Sequence, residues 1–192
     1  MGEPPTAHQS NRVAVGRSFE TLSSVDPLEL AMTRAGLRYA SGALAIAVAA
    51  IHLYWGFPRL VSQFEAGIVP DPRPALFVLS GIAILLGLAR ILDGHNPEPF
   101  YLAGIGLMAV YLVGYVGWHA FGGHGGFVWP WAPKPIVHEE PAAVVVVEHL
   151  VTTPLDLPSK ILETLLLGLL VVLYRGEPRS TDEEIERVVG SD

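Results

Sequence analysis

The histidines are the residues of this 192-residue chain best suited to chemistry. His52 and His119 each lie in the last turn or two of a long apolar stretch, and His149 lies just before another. Neutral imidazole is a common ligand for zinc, copper, nickel and haem iron. Glu148 and Glu163 lie beside and within the last stretch, where a carboxylate can be a ligand or orient one. The predicted site is therefore a transition-metal or haem site of His52, His119 and His149 with Glu163 or Glu148.

A purely structural interpretation of the same residues stays open. Histidine is frequent where a helix leaves a membrane, because part of its ring contacts apolar groups while its polar tip contacts water. Lys160 and Glu163 are three residues apart on one helix face, so they can simply pair with each other. No zinc-protease motif is present. The absence of cysteine excludes disulfides, iron–sulfur clusters, thiolate zinc sites and cysteine nucleophiles.

Four apolar stretches must position these residues, at about 37–57, 74–92, 100–121 and 157–174. The third contains no Asp, Glu, Lys or Arg. As a helix it would be about 33 Å long, enough to cross a bilayer core of about 30 Å. The predicted fold class is all-α, an antiparallel four-helix transmembrane bundle. We expect Pro58 to end the first span and small residues of that span (Ala43, Ala47 and Ala50) to pack against a neighbouring helix.

The remaining segments complete the predicted domain organisation. Residues 1–25 are predicted to be a flexible N-terminal tail, residues 26–175 the membrane domain, and residues 176–192 an acidic C-terminal tail. The apolar segment at about 141–152 is too short to span a bilayer, so we expect it to be re-entrant or interfacial. Further small packing positions are expected in span three at Gly104, Gly106, Gly114 and Gly117.

Charge predicts the orientation and the environment. With both termini in the cytoplasm, eight of the twelve basic residues lie inside, which agrees with the positive-inside rule for a multi-pass protein of the cell membrane. The net charge of −7 argues against nucleic acid as a partner. Two of the twelve basic residues are lysines, Lys134 and Lys160. Few lysines together with acidic tails are typical of a salt-adapted, halophilic protein.

Some features resemble a known group of proteins. Arg38 leads into the first span, and a run of small residues there ends in Ala-Ile-His-Leu at residues 50–53. Over about residues 37–175 this plan resembles the small four-span DoxX-like membrane proteins, and it is similar to four-span membrane proteins of halophilic archaea. The resemblance implies quinone-linked redox chemistry, as in some DoxX-like members. No motif of this chain carries a catalytic residue over from that group.

Three functional hypotheses follow. The leading one is a non-enzymatic component of the lipid bilayer that binds a metal or haem at its outer rim. Such a component would assist a redox or metal-handling system, together with other membrane subunits or as a homo-oligomer. The second is a quinone-linked membrane oxidoreductase, which requires a pocket between the spans. The third is a structural or transport membrane protein without a bound cofactor, whose histidines are only interfacial.

Overall fold

A computed structural model describes residues 27–67, 71–121 and 138–177, and all regular structure in them is helical. The helices are α1 (Pro27–Glu65), α2 (Arg73–Leu92), α3 (Glu98–Phe121), α4 (Ala142–Thr152) and α5 (Asp156–Gly176). The chain divides into two units, Met1–Leu37 and Arg38–Asp192, and every contact given below lies within the second. The all-α fold class is confirmed. The predicted N-terminal tail and nearly all of the C-terminal tail lie outside the described residues.

Four of the helices are long and apolar enough to cross a membrane, by their length and composition. They are α1 from Met32 onward, α2, α3 as far as Ala120, and α5, and their most apolar windows have mean hydropathies of 1.5 to 2.4. These helices also carry large apolar side chains that the protein leaves exposed, such as Leu79 and Val113. An apolar outer surface of this kind suits lipid rather than water. The chain therefore has the composition of a multi-pass membrane protein.

The first helix does not end where the sequence predicted. Pro58 lies inside α1, which continues to Glu65. A proline removes one backbone hydrogen-bond donor and crowds the preceding turn. A helix tolerates it where the nearby carbonyl groups find other hydrogen-bond partners. Within α1, Arg59 Nη1 donates a hydrogen bond to the carbonyl oxygen of Trp55 at 2.8 Å, one residue after the Tyr54 carbonyl that Pro58 leaves without a donor. The helix thus continues two turns beyond the predicted boundary.

Neighbouring long helices run in opposite directions. Near the end of α1, Gly56 packs against Pro74 in the first turn of α2, whereas earlier in α1 Gly42 faces Leu88 near the end of α2. Three other helix pairs are antiparallel by the same criterion, each with two residue contacts. For α2 and α3 these are Ser80 with Tyr111 and Gly87 with Phe100. For α3 and α5 they are Tyr115 with Asp156 and Gly104 with Leu170, and for α1 and α5 they are Arg38 with Glu177 and His52 with Glu163. The fifth helix therefore lies between α3 and α1.

Two glycines bring α1 and α2 together, and of the three predicted alanines only Ala47 is partly buried. A Cβ atom added at Gly56 would lie 2.9 Å from the Pro74 carbonyl oxygen, and one added at Gly81 would lie 2.9 Å from Cγ of Leu53. Ala43 and Ala50 are instead exposed. Helical periodicity alone allows either of two adjacent faces to be the packed one, and here the face that carries His52 is used.

In α3, one of the four glycines predicted as packing positions lies in close contact with another helix. A Cβ atom at Gly104 would lie 2.8 Å from Cδ1 of Leu170 on α5. At Gly106, Gly114 and Gly117 no described atom would lie within 4 Å of an added Cβ.

The apolar segment before α5 forms the short helix α4, which packs against α3 and α5. Eleven residues give a length of only about 17 Å, too short to cross a bilayer. Val145 is buried, whereas Val144, Val147 and Val151 are exposed. Valine favours strands in water, but a helix satisfies its own backbone hydrogen bonds in an apolar setting. Whether this helix is re-entrant or interfacial stays a prediction.

Candidate functional site

The four residues predicted to form one metal site fall into two contacting pairs. His52 meets Glu163, with Nε2 3.3 Å from Oε1. The rings of His119 and His149 meet with centroids 5.0 Å apart. Both pairs lie toward the end of the bundle where α1 and α3 end and α2 and α5 begin, which we call the histidine end. The fifth candidate, Glu148, is exposed.

The first pair is enclosed by protein. The side chains of His52 and Glu163 are both 0% exposed, although they carry or can carry charge. Ser159 Oγ donates a hydrogen bond to Glu163 Oε1 at 2.8 Å, and Lys160 Nζ donates to Glu163 Oε2. The carboxylate therefore has a partner on each oxygen, as a buried charge requires.

The other nitrogen of His52 contacts a second group of hydroxyls. Its Nδ1 lies 3.0 Å from Ser80 Oγ, and that oxygen lies 2.8 Å from the hydroxyl of Tyr111. Ser80 Oγ also lies 2.9 Å from the carbonyl oxygen of Phe77, and the Tyr111 hydroxyl donates to the carbonyl oxygen of Leu76 at 3.0 Å. We call His52, Ser80, Tyr111, Ser159, Lys160 and Glu163 the buried cluster. Its members come from all four long helices.

Helix geometry explains how the sequence builds the α5 side of this cluster. Ser159, Lys160 and Glu163 have the i, i+3 and i, i+4 spacing that places side chains on one face. Glu163 is seven residues after the start of α5, so it lies about 10 Å along the helix axis. Continuing along the same face, the buried side chains become apolar at Leu166 and Leu170. On this face of α5 the polar residues thus lie toward the histidine end, and apolar residues follow them.

Aromatic rings surround the His52 imidazole. The Phe77 ring is 4.9 Å from it in an edge arrangement, and the Tyr111 ring is 4.5 Å away. Rings in these positions exclude water while leaving both ring nitrogens facing polar partners. The local dielectric is low, so the hydrogen bonds of the cluster are strong and an unpaired group would be costly.

The second pair lies closer to the histidine end and includes a third histidine. His138 approaches His149 with ring centroids 5.5 Å apart. His119 Nδ1 donates to the carbonyl oxygen of Tyr115 and His149 Nδ1 donates to that of Val145, both at 2.8 Å. A neutral ring that donates through Nδ1 carries its lone pair on Nε2, which is the usual arrangement of a metal-binding histidine.

Polar side chains connect the two histidine groups. The Lys160 ammonium lies 5.8 Å from the Tyr111 ring centroid and 5.1 Å from that of Tyr115. The Tyr115 hydroxyl donates to Asp156 Oδ2 at 3.2 Å, and the Tyr115 ring packs on His119 at 4.2 Å. A continuous series of polar and aromatic groups therefore leads from the buried cluster to the outer histidines.

Metal binding stays a prediction. Among the residues that the structure describes, no three His, Asp or Glu side chains form a group that could hold a metal ion. The two contacting pairs each offer two candidate ligands. His119 and His149 have the Nδ1–H bonding that suits ligation, and His52 Nε2 contacts Glu163 Oε1.

A separate cavity of about 140 Å³ lies between the long helices, toward the opposite end. Its lining is mainly apolar and includes Leu88, Met108 and Leu170. The quinone hypothesis requires a pocket between the spans, and this cavity is one. Neither His52 nor Glu163 lines it. The described part of the chain thus offers that hypothesis a cavity, with Tyr101 in its lining.

Sequence reasoning missed Ser80, Tyr111 and Ser159. Ser80 is the only polar residue in the apolar run from Ala75 to Leu88, and an isolated polar residue in such a run is a usable signal of an interhelical hydrogen bond. Tyr111 carried no such signal, because tyrosine is common in apolar helices. Its role follows only from which face of α3 turns toward α1 and α2.

Comparisons with protein-family models, with curated protein sequences and with solved structures found no match to this chain. The resemblance to DoxX-like proteins therefore stays a prediction.

Proposed function

We propose that this chain is a four-span protein of the cell membrane whose buried cluster exchanges one proton with the outer side. Both termini are placed in the cytoplasm. The antiparallel contacts and the count of four candidate spans support this topology, because an even number of crossings returns the chain to its starting side. The excess of Arg and Lys on the side of the termini supports the same orientation.

The observation that carries the proposal is the position of the Ser80 hydroxyl, which suits His52 in two protonation states. When the imidazole is neutral, Nε2–H donates to Glu163 and the Ser80 hydroxyl donates to Nδ1. When it is protonated, Nδ1–H donates to Ser80, whose own proton turns to the carbonyl oxygen of Phe77. Both ring nitrogens and the Ser80 hydroxyl keep a partner in both states, so apart from the added proton on Nδ1 only a hydroxyl rotation separates them.

A purely structural role explains the cluster less well. A buried ion pair is weak evidence for stability, because apolar residues of similar size often serve equally well. Ionisable groups inside a membrane are costly and commonly mark proton or ion pathways. The net charge of the cluster changes from zero to +1 when His52 takes up a proton, because the charges of Lys160 and Glu163 cancel. That cycle requires no other group to change.

The polar contacts of the cluster continue toward one end of the bundle. Lys160, Tyr115 and Asp156 connect it toward the histidine end, whereas Leu166 and Leu170 close the other direction along α5. A one-sided site can store or deliver a proton but does not by itself carry one across the bilayer. This suits an accessory component of a proton-linked redox or transport system, which retains the accessory role of the leading sequence hypothesis.

The test is nuclear magnetic resonance of the full chain in detergent micelles with ¹⁵N-labelled histidine. We expect the His52 ring signals to change from neutral to doubly protonated on acidification and its ring N–H groups to exchange with D₂O. His52→Gln keeps a donor for Glu163 but should abolish this one-proton uptake. His95→Gln, an exposed position outside the cluster, should leave it unchanged. A His52 ring that stays in one form throughout the folded pH range would overturn the proposal.

A second candidate function is metal binding at the histidine end by His119 and His149. The contact between their rings and the Nδ1–H bonds that direct Nε2 away from the backbone support it. The ligand chemistry is that of zinc, copper or nickel. This candidate does not depend on the buried cluster, so the two proposals stand or fail separately.

A further inference from the structure

A second site lies at the histidine end, in a cleft of about 540 Å³ between the last turns of α1 and the start of α2. Trp55, Arg59, Gln63, Asp71 and Arg73 contribute to its lining. None of these residues belongs to the buried cluster or to the outer histidines. We call this the Trp55 cleft.

The cleft carries an excess of positive charge. Arg59 lies over the Trp55 ring, with Cζ 4.4 Å from the centroid, and Arg73 approaches the same ring at 5.9 Å. Asp71 binds Arg73, with carboxylate–guanidinium distances of 2.7 to 3.0 Å. Among the described residues no carboxylate pairs with Arg59. One positive charge therefore remains uncompensated beside an aromatic wall.

A carboxylate already occupies the helix end beside the cleft. The first turn of α2 lines the cleft through Arg73 and Pro74, and Asp71 Oδ1 accepts a hydrogen bond from the backbone N–H of Arg73 at 2.9 Å. The attraction of the cleft for an anion therefore rests on the guanidinium of Arg59.

An unsatisfied acceptor specifies a second ligand group. Gln63 Oε1 is buried and has no hydrogen-bond partner among the described residues. A buried acceptor without a donor is costly, so a ligand that brings a hydroxyl or ammonium donor gains affinity there. Gln63 and Arg59 are four residues apart on one face of α1, so one small ligand can reach both.

We propose that the Trp55 cleft binds a phosphate group that also carries a hydrogen-bond donor. Arg59 holds the anionic oxygens in a charge-assisted contact, and Gln63 Oε1 accepts from the ligand's hydroxyl or ammonium. Two sources have this chemistry: the headgroup of an anionic lipid such as phosphatidylglycerol, and free phosphate. Trp55, Trp118 and Arg73 lie together at this end, with Arg73 Cζ 4.1 Å from the Trp118 ring, as groups at a lipid headgroup layer do.

The experiment uses the full chain in detergent, with two probes in separate arms. In the first, native mass spectrometry measures retention of phosphatidylglycerol against phosphatidylcholine. In the second, tryptophan fluorescence follows a titration with inorganic phosphate. Arg59→Ala should weaken binding about tenfold, as expected for a lost charge-assisted contact. The affinity of Arg59→Lys should lie between those of the wild type and Arg59→Ala, because lysine keeps the charge but not the planar guanidinium group. Arg90→Ala, an exposed arginine on α2 outside the cleft, is the matched control.

Each outcome decides the proposal or its source. A preference for phosphatidylglycerol supports a lipid headgroup site if it is lost in Arg59→Ala and kept in Arg90→Ala. Saturable phosphate binding with the same dependence on Arg59, but no lipid preference, supports the site with free phosphate as its ligand. Equal losses in Arg59→Ala and Arg90→Ala would show only general surface charge and would overturn the proposal. So would unchanged binding in Arg59→Ala when its melting temperature equals that of the wild type.

Discussion

His52 and Glu163 are 111 positions apart in the chain and meet inside the bundle, Nε2 to Oε1, at 3.3 Å with neither side chain exposed. The contact joins α1 to α5, the first and last of the long helices. Because neither side chain is exposed, both depend on protein groups for their hydrogen bonds: each other, Ser80 for His52, and Ser159 and Lys160 for Glu163. The pair therefore connects the stability of the bundle with its proposed chemistry.

Removal of the carboxylate alone should strongly destabilise the fold. Glu163→Ala leaves Lys160 as a half-buried cation without its partner and removes an acceptor from His52 and Ser159. We expect a loss of about 3–5 kcal/mol, the usual cost of breaking a buried ion pair from one side. Thermal unfolding in detergent measures it. A melting temperature equal to that of the wild type would show that the cluster contributes little to stability.

A fully apolar replacement should separate stability from function. The triple variant His52→Leu, Lys160→Met and Glu163→Leu leaves no buried charge behind, so we expect a melting temperature near that of the wild type. The same variant should lose the one-proton uptake on acidification. Retained uptake, measured with a pH-sensitive dye at low buffer capacity, would place the exchanging group elsewhere.

The Ser80 hydroxyl should control proton exchange at His52. Ser80→Ala removes the partner of Nδ1 in both protonation states, so we expect slower D₂O exchange of the His52 ring and a destabilisation of about 1–2 kcal/mol. Ser41→Ala is the control, because Ser41, on α1, is buried like Ser80, and its hydroxyl donates to the carbonyl oxygen of Arg38 outside the cluster. Identical exchange rates in the two variants would argue against the hydroxyl rotation.

Close packing of α1 on α2 should depend on Gly56. In Gly56→Ala the new Cβ would lie 2.9 Å from the Pro74 carbonyl oxygen and the Phe77 Cβ, and neither atom can move without the backbone. We expect a destabilisation of about 1–3 kcal/mol from overpacking. Gly114→Ala meets no atom within 4 Å and should be neutral or gain up to about 1 kcal/mol from helix propensity. The reverse order of melting temperatures would contradict this packing.

Metal binding at the histidine end should depend on His119 and His149. We expect the purified protein to bind Zn²⁺ or Ni²⁺, and His119→Ala and His149→Ala each to weaken binding at least about tenfold, since each would remove one of few ligands. His95→Ala serves as the control, because His95 is exposed and outside the histidine end. Metal analysis after gel filtration and isothermal titration are the measurements. Binding that survives both single variants would exclude this pair.

The topology can be tested with single cysteines, because the chain contains none. In intact cells, Thr153→Cys, in the connection between α4 and α5, should react with a membrane-impermeant maleimide. Thr6→Cys and Thr181→Cys, in the two tails, should react only after the cells are opened. Labelling of one tail but not the other from outside would require an odd number of crossings and would contradict the proposed membrane orientation.

Composition and apolar length determined the number and approximate position of the long helices without any tertiary information. Backbone groups in lipid must bond within their own segment, so a charge-free run such as residues 100–121 has few alternatives to a helix. The same run predicted α3 almost to its observed ends. At Pro58 the predicted helix end was wrong, because a proline inside a long apolar helix can be accommodated, and α1 continues to Glu65.

Only the tertiary structure decided which histidines meet which partners. The sequence grouped His52, His119, His149 and Glu163 in one site, but the rotation of the helices about their axes pairs His52 with Glu163 and leaves His119 beside His149. Residues one position apart on a helix differ in direction by about 100°, so a pattern of small residues cannot fix that rotation. The rotation is set where helices interlock, at contacts such as Gly56 on Pro74 and Gly104 on Leu170. Sequence therefore determined how many helices could cross a membrane, and the packing between them determined the site.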